Sequence, residues 1–450
     1  MRFCLRLSVL TSVFLSSSAV AQPIGVVCPQ LTDETAFAAD IKHLAPLDLN
    51  PETGWILRDA DKLLDFGFSD EGVALMAELV RVLGERTGSQ LVTIVPPPRA
   101  IFAPNANDQA IRRAQYNHLQ AQLRATGAIV PDIFRAIEAT PGAFENYYYR
   151  SDTHWTPAGA LLSAQAIALA LDEAGILPEP PTDPKFFLTG ELQSAERTGA
   201  LLRAVEKVCE IELPGEMVQF PVIATVQPAD TAAALFGDQD EEDPTKIVLI
   251  GTSFSSKDQF RWADSVSFAL QRDVDNRSVT GGGFDSAFVA YAESNLYSDQ
   301  PELLIWEFMP YYIKHSLGAR VRDILASVLG SCPADAQSTF IPVQFIDNEW
   351  GVKLFVPSGH DILNLSLPGV DLGTVRFKLE VPDGDDIRGL ALRRDRVAED
   401  MRSDQWSFYA AQVTDSGMVA TSGMVSFKVE GTDMPVDGSF TSCSSVTDLQ

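Results

Sequence analysis

Lys246-Ile247-Val248-Leu249-Ile250-Gly251-Thr252-Ser253-Phe254-Ser255 decides how this chain folds. A short apolar, β-branched run with no polar face reads as a strand buried on both sides, the pattern of a parallel sheet. It runs into small residues, Gly251 and Thr252, that let the backbone turn tightly and leave the Ser253 hydroxyl exposed at the tip. Similar runs stand on either side. Leu91-Val92-Thr93-Ile94-Val95 is stopped by Pro96-Pro97-Pro98, and Leu303-Leu304-Ile305-Trp306-Glu307-Phe308 ends before Met309-Pro310. Ser278-Val279-Thr280 reads as one more strand, followed by Gly281-Gly282-Gly283.

Helical spacing fills the intervals. Ser69 caps a helix to Arg86, ended by Gly88. Further helices are predicted over Asn107 to Ala125, from Pro131-Asp132 to Ala139, and over Ala158 to Ala174 behind the cap Thr156-Pro157. Others follow over Lys257 to Gln271, Asp285 to Ser294 and Leu317 to Leu329. Strands alternating with helices imply an α/β fold with a parallel sheet. Sites in such sheets collect beyond the carboxyl ends of the strands. Ser253, Gly281 to Gly283 and Met309 to Tyr312 all follow strand ends.

Upstream, Tyr147-Tyr148-Tyr149-Arg150-Ser151-Asp152-Thr153-His154-Trp155-Thr156-Pro157 places a carboxylate two residues before a histidine, between aromatic walls. Of the five histidines, His43, His118, His154, His315 and His360, only His154 stands beside an acid in this way. A serine hydroxyl is a weak nucleophile until a base takes its proton, and the base works best when an acid fixes its tautomer. Ser253 as nucleophile, His154 as base and Asp152 as its orienter make an acyl-transfer triad. The alternative for Ser253 is a helix cap, and for His154 a structural histidine. Gly281, Gly282 and Gly283 are candidates to bring backbone amides to an oxyanion, as is the amide after Ser253. The Tyr312 phenol is a candidate to touch substrate or oxyanion, with wall packing as the alternative.

Residues 176–245 are the least readable part: a Pro-rich link, a helix over Gly199 to Val208 and an acidic loop at Asp238 to Asp243, taken together as an insertion covering one side of the sheet. After Ser331 the helical period stops. Lys353-Leu354-Phe355-Val356, Val375 to Leu379, Trp406 to Ala410 and Met424 to Lys428 alternate as short strands, which predicts a small antiparallel β-sandwich or barrel. Its basic cluster Arg388, Arg393, Arg394, Arg396 and Arg402, with Trp406 nearby, has the chemistry to pair uronate carboxylates and stack on sugar faces; a solvated loop is the alternative.

The net charge of −27 over 450 residues argues against nucleic acid as a partner. Arg2 and Arg6, the apolar run Leu7 to Leu15 and Ala19-Val20-Ala21 form a signal peptide over residues 1–21, so the mature chain is expected outside the cytoplasm, and no stretch is suited to span a membrane. Beyond Cys4, Cys28, Cys209, Cys332 and Cys443 remain. Sequence allows three pairings of four cysteines. Nearest-domain logic favours Cys28–Cys209 and Cys332–Cys443, with free buried thiols as the alternative; the spacing suggests no metal site.

Asp152-Thr153-His154-Trp155-Thr156-Pro157-x-Gly159-Ala160, followed much later by strand-Gly251-Thr252-Ser253-Phe254-Ser255, resembles the family of periplasmic alginate O-acetyltransferases that includes AlgX and AlgJ. The resemblance implies an SGNH-hydrolase-like three-layer α/β/α domain over residues 22–331, with permuted motif order. The Asp-His pair precedes the serine here, whereas ordinary SGNH hydrolases place the serine first. It further implies a C-terminal β-sandwich carbohydrate-binding module over residues 332–450, which fits the AlgX branch better than AlgJ. It assigns Ser253, His154 and Asp152 the triad roles and suggests a part for Tyr312. The expected reaction is ping-pong: an acetyl-enzyme on Ser253, then attack by a hydroxyl of an exported polysaccharide, anionic and alginate-like or neutral. No cofactor is expected, and the donor would be a membrane acyltransferase system. A secreted carbohydrate acetylesterase with the same triad, and a non-catalytic polysaccharide-binding scaffold of an export complex, stay open beside it.

Overall fold

In the computed structural model, residues 27–104, 108–176, 184–226, 247–330, 341–345, 353–356, 362–366, 376–383, 386–392, 397–403, 405–409, 411–414, 417–420, 423–430 and 436–443 are described. The expected signal peptide, the acidic loop 238–243 and Cys332 lie outside them.

The apolar runs become the parallel sheet. A small hairpin, β1 (Leu47–Leu49) and β2 (Ile56–Arg58), leads to helix α1 (Asp70–Thr87), which opens on the Ser69 cap and closes at Gly88 with φ +75. β3 (Gln90–Ile94), helix α2 (Gln109–Ala125), the short helices α3 (Ile133–Glu138) and α4 (Ala143–Asn146), and helix α5 (Pro157–Glu173) follow. α5 is apolar almost all round and correspondingly buried, and Thr156 caps it by accepting from the Gly159 amide at 3.1 Å.

The insertion holds more structure than its sequence suggests: β4 (Phe186–Arg197), helix α6 (Ala200–Cys209) and β5 (Glu216–Thr225), with β4 and β5 paired antiparallel from Phe186↔Thr225 to Arg197↔Glu216. The two strands alternate polar and apolar residues weakly and expose Phe187, Leu192 and Met217, which is why periodicity passes over them. A Cys28–Cys209 disulfide ties α6 to the N-terminal turns, where Leu201, Leu202 and Val205 share a small core with Leu31, Leu44 and Ile56.

β6 (Ile247–Ile250) leads through a single turn, α7 (Ser253–Ser256), to α8 (Trp262–Leu270). The expected continuous helix from Lys257 to Gln271 is therefore broken. Arg261 takes a left-handed φ of +56, and this bend buries Phe260 and Trp262 in the core. β7 (Val274–Asn276) lies earlier than the expected strand 278–280; beyond it the Arg277 and Val279 amides still donate to Leu249 O and Gly251 O at 2.8 and 2.9 Å. Then come α9 (Ser286–Ser294), α10 (Leu296–Asp299), β8 (Leu303–Glu307) and α11 (Ile313–Leu329), which starts before the expected Leu317. The sheet order is β3–β8–β6–β7, every pair parallel. Two helix groups flank it: α1, α9 and α11 pack together, as do α3, α4, α5 and α8. This is the predicted α/β architecture.

The remaining strands are β9 (Ile341–Phe345), β10 (Lys353–Val356), β11 (Ile362–Ser366), β12 (Arg376–Asp383), β13 (Asp386–Leu392), β14 (Gln405–Tyr409), β15 (Ala411–Thr414), β16 (Gly417–Ala420), β17 (Gly423–Glu430) and β18 (Val436–Cys443). They form antiparallel sheets of order β10–β17–β12–β13 and β14–β11–β18–β9, with β15 and β16 paired as a separate hairpin. This half is joined firmly to the first. Ile362, Val397, Met401 and Cys443 belong to the same buried cluster as Trp306, α11 packs on β14, and Glu293 accepts from the Ser407 amide at 3.1 Å. Cys443 is disulfide-bonded.

Candidate active site

Two turns, about a hundred residues apart in sequence, meet at the carboxyl end of the sheet. The first carries Asp152 and His154. Tyr148 and Trp155 form a β-bridge, closed by Thr156 N to Tyr147 O at 3.0 Å, so residues 149–154 make a tight loop and the Thr156 cap fixes its exit. The second is the turn after β6, where Thr252 caps α7 and accepts from the Phe254 amide at 3.3 Å.

The structure brings all three predicted residues into one line. His154 Nδ1 lies 2.6 Å from Asp152 Oδ1, and His154 Nε2 lies 2.8 Å from Ser253 Oγ. Asp152 is fully buried and His154 is 5 % exposed, while Ser253 is half-buried. The imidazole is walled by Phe260, nearly parallel at 4.4 Å between centroids, and by Phe254 at 4.7 Å. Burial between these rings is the main force holding the His154 pKa below the usual histidine range, against the pull of the Asp152 charge. The imidazole is thus neutral near pH 7, the form a base needs. Burial alone would raise the Asp152 pKa, but the hydrogen bond and charge of His154 and the Arg197 guanidinium outweigh it and hold that carboxyl well below the carboxylate range.

The residues that grip the Asp152 loop come from the part of the sequence that was least readable. Arg197, the last residue of β4, donates to Asp152 Oδ2 from Nε at 3.0 Å and from Nη2 at 2.8 Å. Its guanidinium also lies over Phe260, 5.3 Å from the ring centroid. Glu216, its cross-strand partner on β5, accepts from the amides of Arg150 and Ser151 and from the Ser151 hydroxyl, each through Oε2 at 2.9–3.1 Å. One cross-strand pair therefore holds one loop with opposite charges. The approach is close enough that a Cβ on Gly199 would lie 2.1 Å from Ser151 O. On the other side the fully buried Arg99 donates to the carbonyls of Ile56, Tyr149 and Arg150 and pairs with Asp61 at 2.9 Å. Arg197, Glu216 and Arg99 carried no sequence signal; charges in an insertion or after a proline run read as surface.

Beneath the Ser253 turn stands Glu307, the end of β8. Its Oε2 accepts from the Thr252 amide at 2.8 Å, the Ser255 hydroxyl at 2.9 Å and the Thr252 hydroxyl at 3.0 Å. Gly251 is small for a different reason than a tight turn: a Cβ there would lie 2.6 Å from Glu307 Oε2. The one sequence signal for Glu307 was an acid closing an otherwise apolar strand.

The other candidates are placed as follows. Gly281 and Gly283 have φ of +70 and +68, and the Gly282 amide is spent on Val279 O at 3.1 Å. The loop touches the nucleophile turn through Thr280 Oγ1 and Ser256 Oγ, 2.6 Å apart. Tyr312 is half-buried, its ring 4.6 Å from Tyr311, and among the described residues no hydrogen bond joins it to Ser253 or His154. The Phe254 amide, spent on Thr252, is a poor oxyanion donor in this state. In the C-terminal half, Arg393, Arg394 and Arg396 lie outside the described residues, Arg388 falls on β13, and Arg402 is exposed with its Nε on Val397 O at 2.9 Å. Trp406 is a correction: it is buried, 2 % exposed, so it offers no face to a sugar.

A serine, histidine and aspartate aligned on this fold agree with what the chain is similar to. A family model described as the SGNH hydrolase-like domain of acetyltransferase AlgX matches residues 51–310. "Alginate biosynthesis protein AlgX" of Pseudomonas aeruginosa is 28 % identical over 302 residues, which are 65 % of this chain and 62 % of that protein. "Probable alginate O-acetylase AlgJ" of Pseudomonas putida is 28 % identical over 246 residues, 52 % of this chain and 61 % of that protein. The chain thus spans less than two thirds of either relative. The solved structure of Pseudomonas aeruginosa AlgX superposes with a TM-score of 0.70 at 21 % identity, covering 93 % of this chain and 100 % of that one, so the likeness of fold reaches into the C-terminal sheets. With its family model matching well over half its length, this chain belongs to the AlgX family of SGNH hydrolase-like acetyltransferase domains.

Proposed function

We propose that this chain is a periplasmic polysaccharide O-acetyltransferase acting through a serine acetyl-enzyme, with an alginate-like polymer as acceptor. The observation that carries the reading is the unbroken line Ser253 Oγ, His154 Nε2, His154 Nδ1, Asp152 Oδ1 at 2.8 and 2.6 Å. The names of the similar AlgX and AlgJ proteins supply the substrate class.

The step is acyl transfer in two halves. Ser253 Oγ attacks the acetyl carbonyl of a donor ester while its proton passes to His154 Nε2. The tetrahedral adduct collapses, the donor's alcohol leaves with that proton, and Ser253 is left acetylated. A sugar hydroxyl then attacks the same carbonyl, giving its proton to His154. The second collapse frees the sugar acetate and returns the proton to Ser253. Asp152 stays ionised throughout and stabilises the imidazolium that forms twice, with Arg197 on its far oxygen. Phe254 and Phe260 shield His154 from water, which favours the sugar hydroxyl in the second half. In this reading a membrane acyltransferase system delivers the acetyl group, and the C-terminal sheets, sharing the core of the first half, hold the polymer.

Mass spectrometry tests this directly. Purified protein is incubated with mannuronate oligomers and p-nitrophenyl acetate, beside Ser253→Ala. Acetyl-sized gains on the sugar that vanish in the variant are expected. Serine-dependent release of acetate with unmodified sugar would replace the transferase by an esterase.

A further inference from the structure

The mechanism above leaves one buried charge unused. β8 is otherwise Leu303, Leu304, Ile305 and Trp306, all fully or nearly fully buried, yet it ends in Glu307 at 0 % exposure. Among the described residues no Lys, Arg or His forms an ion pair with it. A carboxylate without a counter-ion in an apolar sheet is costly and contributes nothing to packing that an aliphatic residue would not. Its three donors all belong to the turn that carries Ser253, two on the residue before it and one two residues after it. The strand that supplies it is the hydrogen-bonded neighbour of β6, with Ile250 registered against Trp306, so the acid lies directly beside the turn. Gly251 leaves the space it occupies.

We propose that Glu307 is the positioning residue of the nucleophile turn: by accepting from Thr252 N, Thr252 Oγ1 and Ser255 Oγ on a single oxygen, it locks the backbone on both sides of Ser253 and so holds the serine hydroxyl on His154 Nε2. The proposal rests on the nucleophile role of Ser253. It does not make Glu307 a proton carrier. What the turn needs is an acceptor oxygen at that point. Glutamine can supply it, with its amide nitrogen taking the place of Oε1, which faces the Thr252 hydroxyl at 3.1 Å. Aspartate keeps the charge and burial but withdraws the oxygen by one methylene. A displacement of about 1 Å at a reacting group costs on the order of 100-fold in rate.

The experiment uses the full chain and phenylmethylsulfonyl fluoride as probe, following sulfonylation of Ser253 by intact mass, with acetyl transfer measured alongside and Ser253→Ala as the blank. The expected order is wild type, then Glu307→Gln within about tenfold, then Glu307→Asp and Glu307→Ala slower by about 100-fold, the loss lying in kcat and not in the acceptor KM. A role in charge alone would rank Asp above Gln and overturns the proposal, as does a folded Glu307→Asp that labels at the wild-type rate. Should Glu307→Ala fail to fold, the Asp and Gln pair decides. Failure of the wild type itself to label at Ser253 strikes the nucleophile reading instead.

Discussion

Asp152 and Glu307 are both fully buried carboxyls, and they sit on the two turns that meet at the site. Asp152 has His154 on one oxygen and Arg197 on the other, and its pKa is driven far down. Among the described residues Glu307 has only neutral donors, and burial prevails over them, raising its pKa to about 7. The same burial therefore has opposite consequences, decided by whether a cation stands within reach. The His154 loop is gripped by the charged residues Arg197 and Glu216 of the insertion, whereas the Ser253 turn is gripped from inside the sheet.

The largest expected effect breaks the ionic grip at its centre. Asp152→Asn keeps the shape but takes away the charge that fixes the His154 tautomer, and kcat for acetyl transfer is expected to fall by about 10⁴. A fall of under tenfold would show that the loop needs no acid. Arg197→Met is smaller. It leaves Asp152 with His154 and its Thr153 neighbour and removes a cation that helps depress the His154 pKa. Activity is expected to drop about 10- to 100-fold, and the acid limb of the kcat/KM profile should move to higher pH, because the base must be neutral and its pKa rises.

Glu307→Gln is the mildest and concerns stability. The unfolded carboxyl titrates near 4.5 and the folded one near 7, so between these values the folded state binds more protons than the unfolded. Stability of the wild type then falls as pH rises through this window, by on the order of 3 kcal/mol at 1.36 kcal/mol per unit. Glutamine has no such slope. Thermal melts at pH 5 and pH 8 should therefore show the variant gaining on the wild type at the higher pH. An unchanged difference would mean that Glu307 is not strained by its setting.

The same division explains what could be read from the residues alone. β6, β8 and the caps Ser69 and Thr156 were legible because apolar runs and cap chemistry are local properties. Ser253, His154 and Asp152 were legible because their residue types and turns announce them. β4 and β5 were not, since a two-stranded ribbon with one face in solvent has no strong period. Arg197 and Glu216 gain their meaning only from the register that sets them opposite each other. Trp406 misled because an aromatic beside arginines looks the same in sequence whether its ring faces a sugar or a core.

The Cys28–Cys209 bridge spans a sequence separation of 181 residues, and the whole Asp152 loop lies inside the span. Its second cysteine ends α6, the helix that connects Arg197 to Glu216. The clasp can close only once the chain as far as Cys209 has been made, and only where thiols are oxidised. Oxidation therefore tightens the insertion that grips the Asp152 loop, while the Ser253 turn lies outside the span. The hold on His154 is thereby tied to an oxidising compartment, and the hold on Ser253 is not.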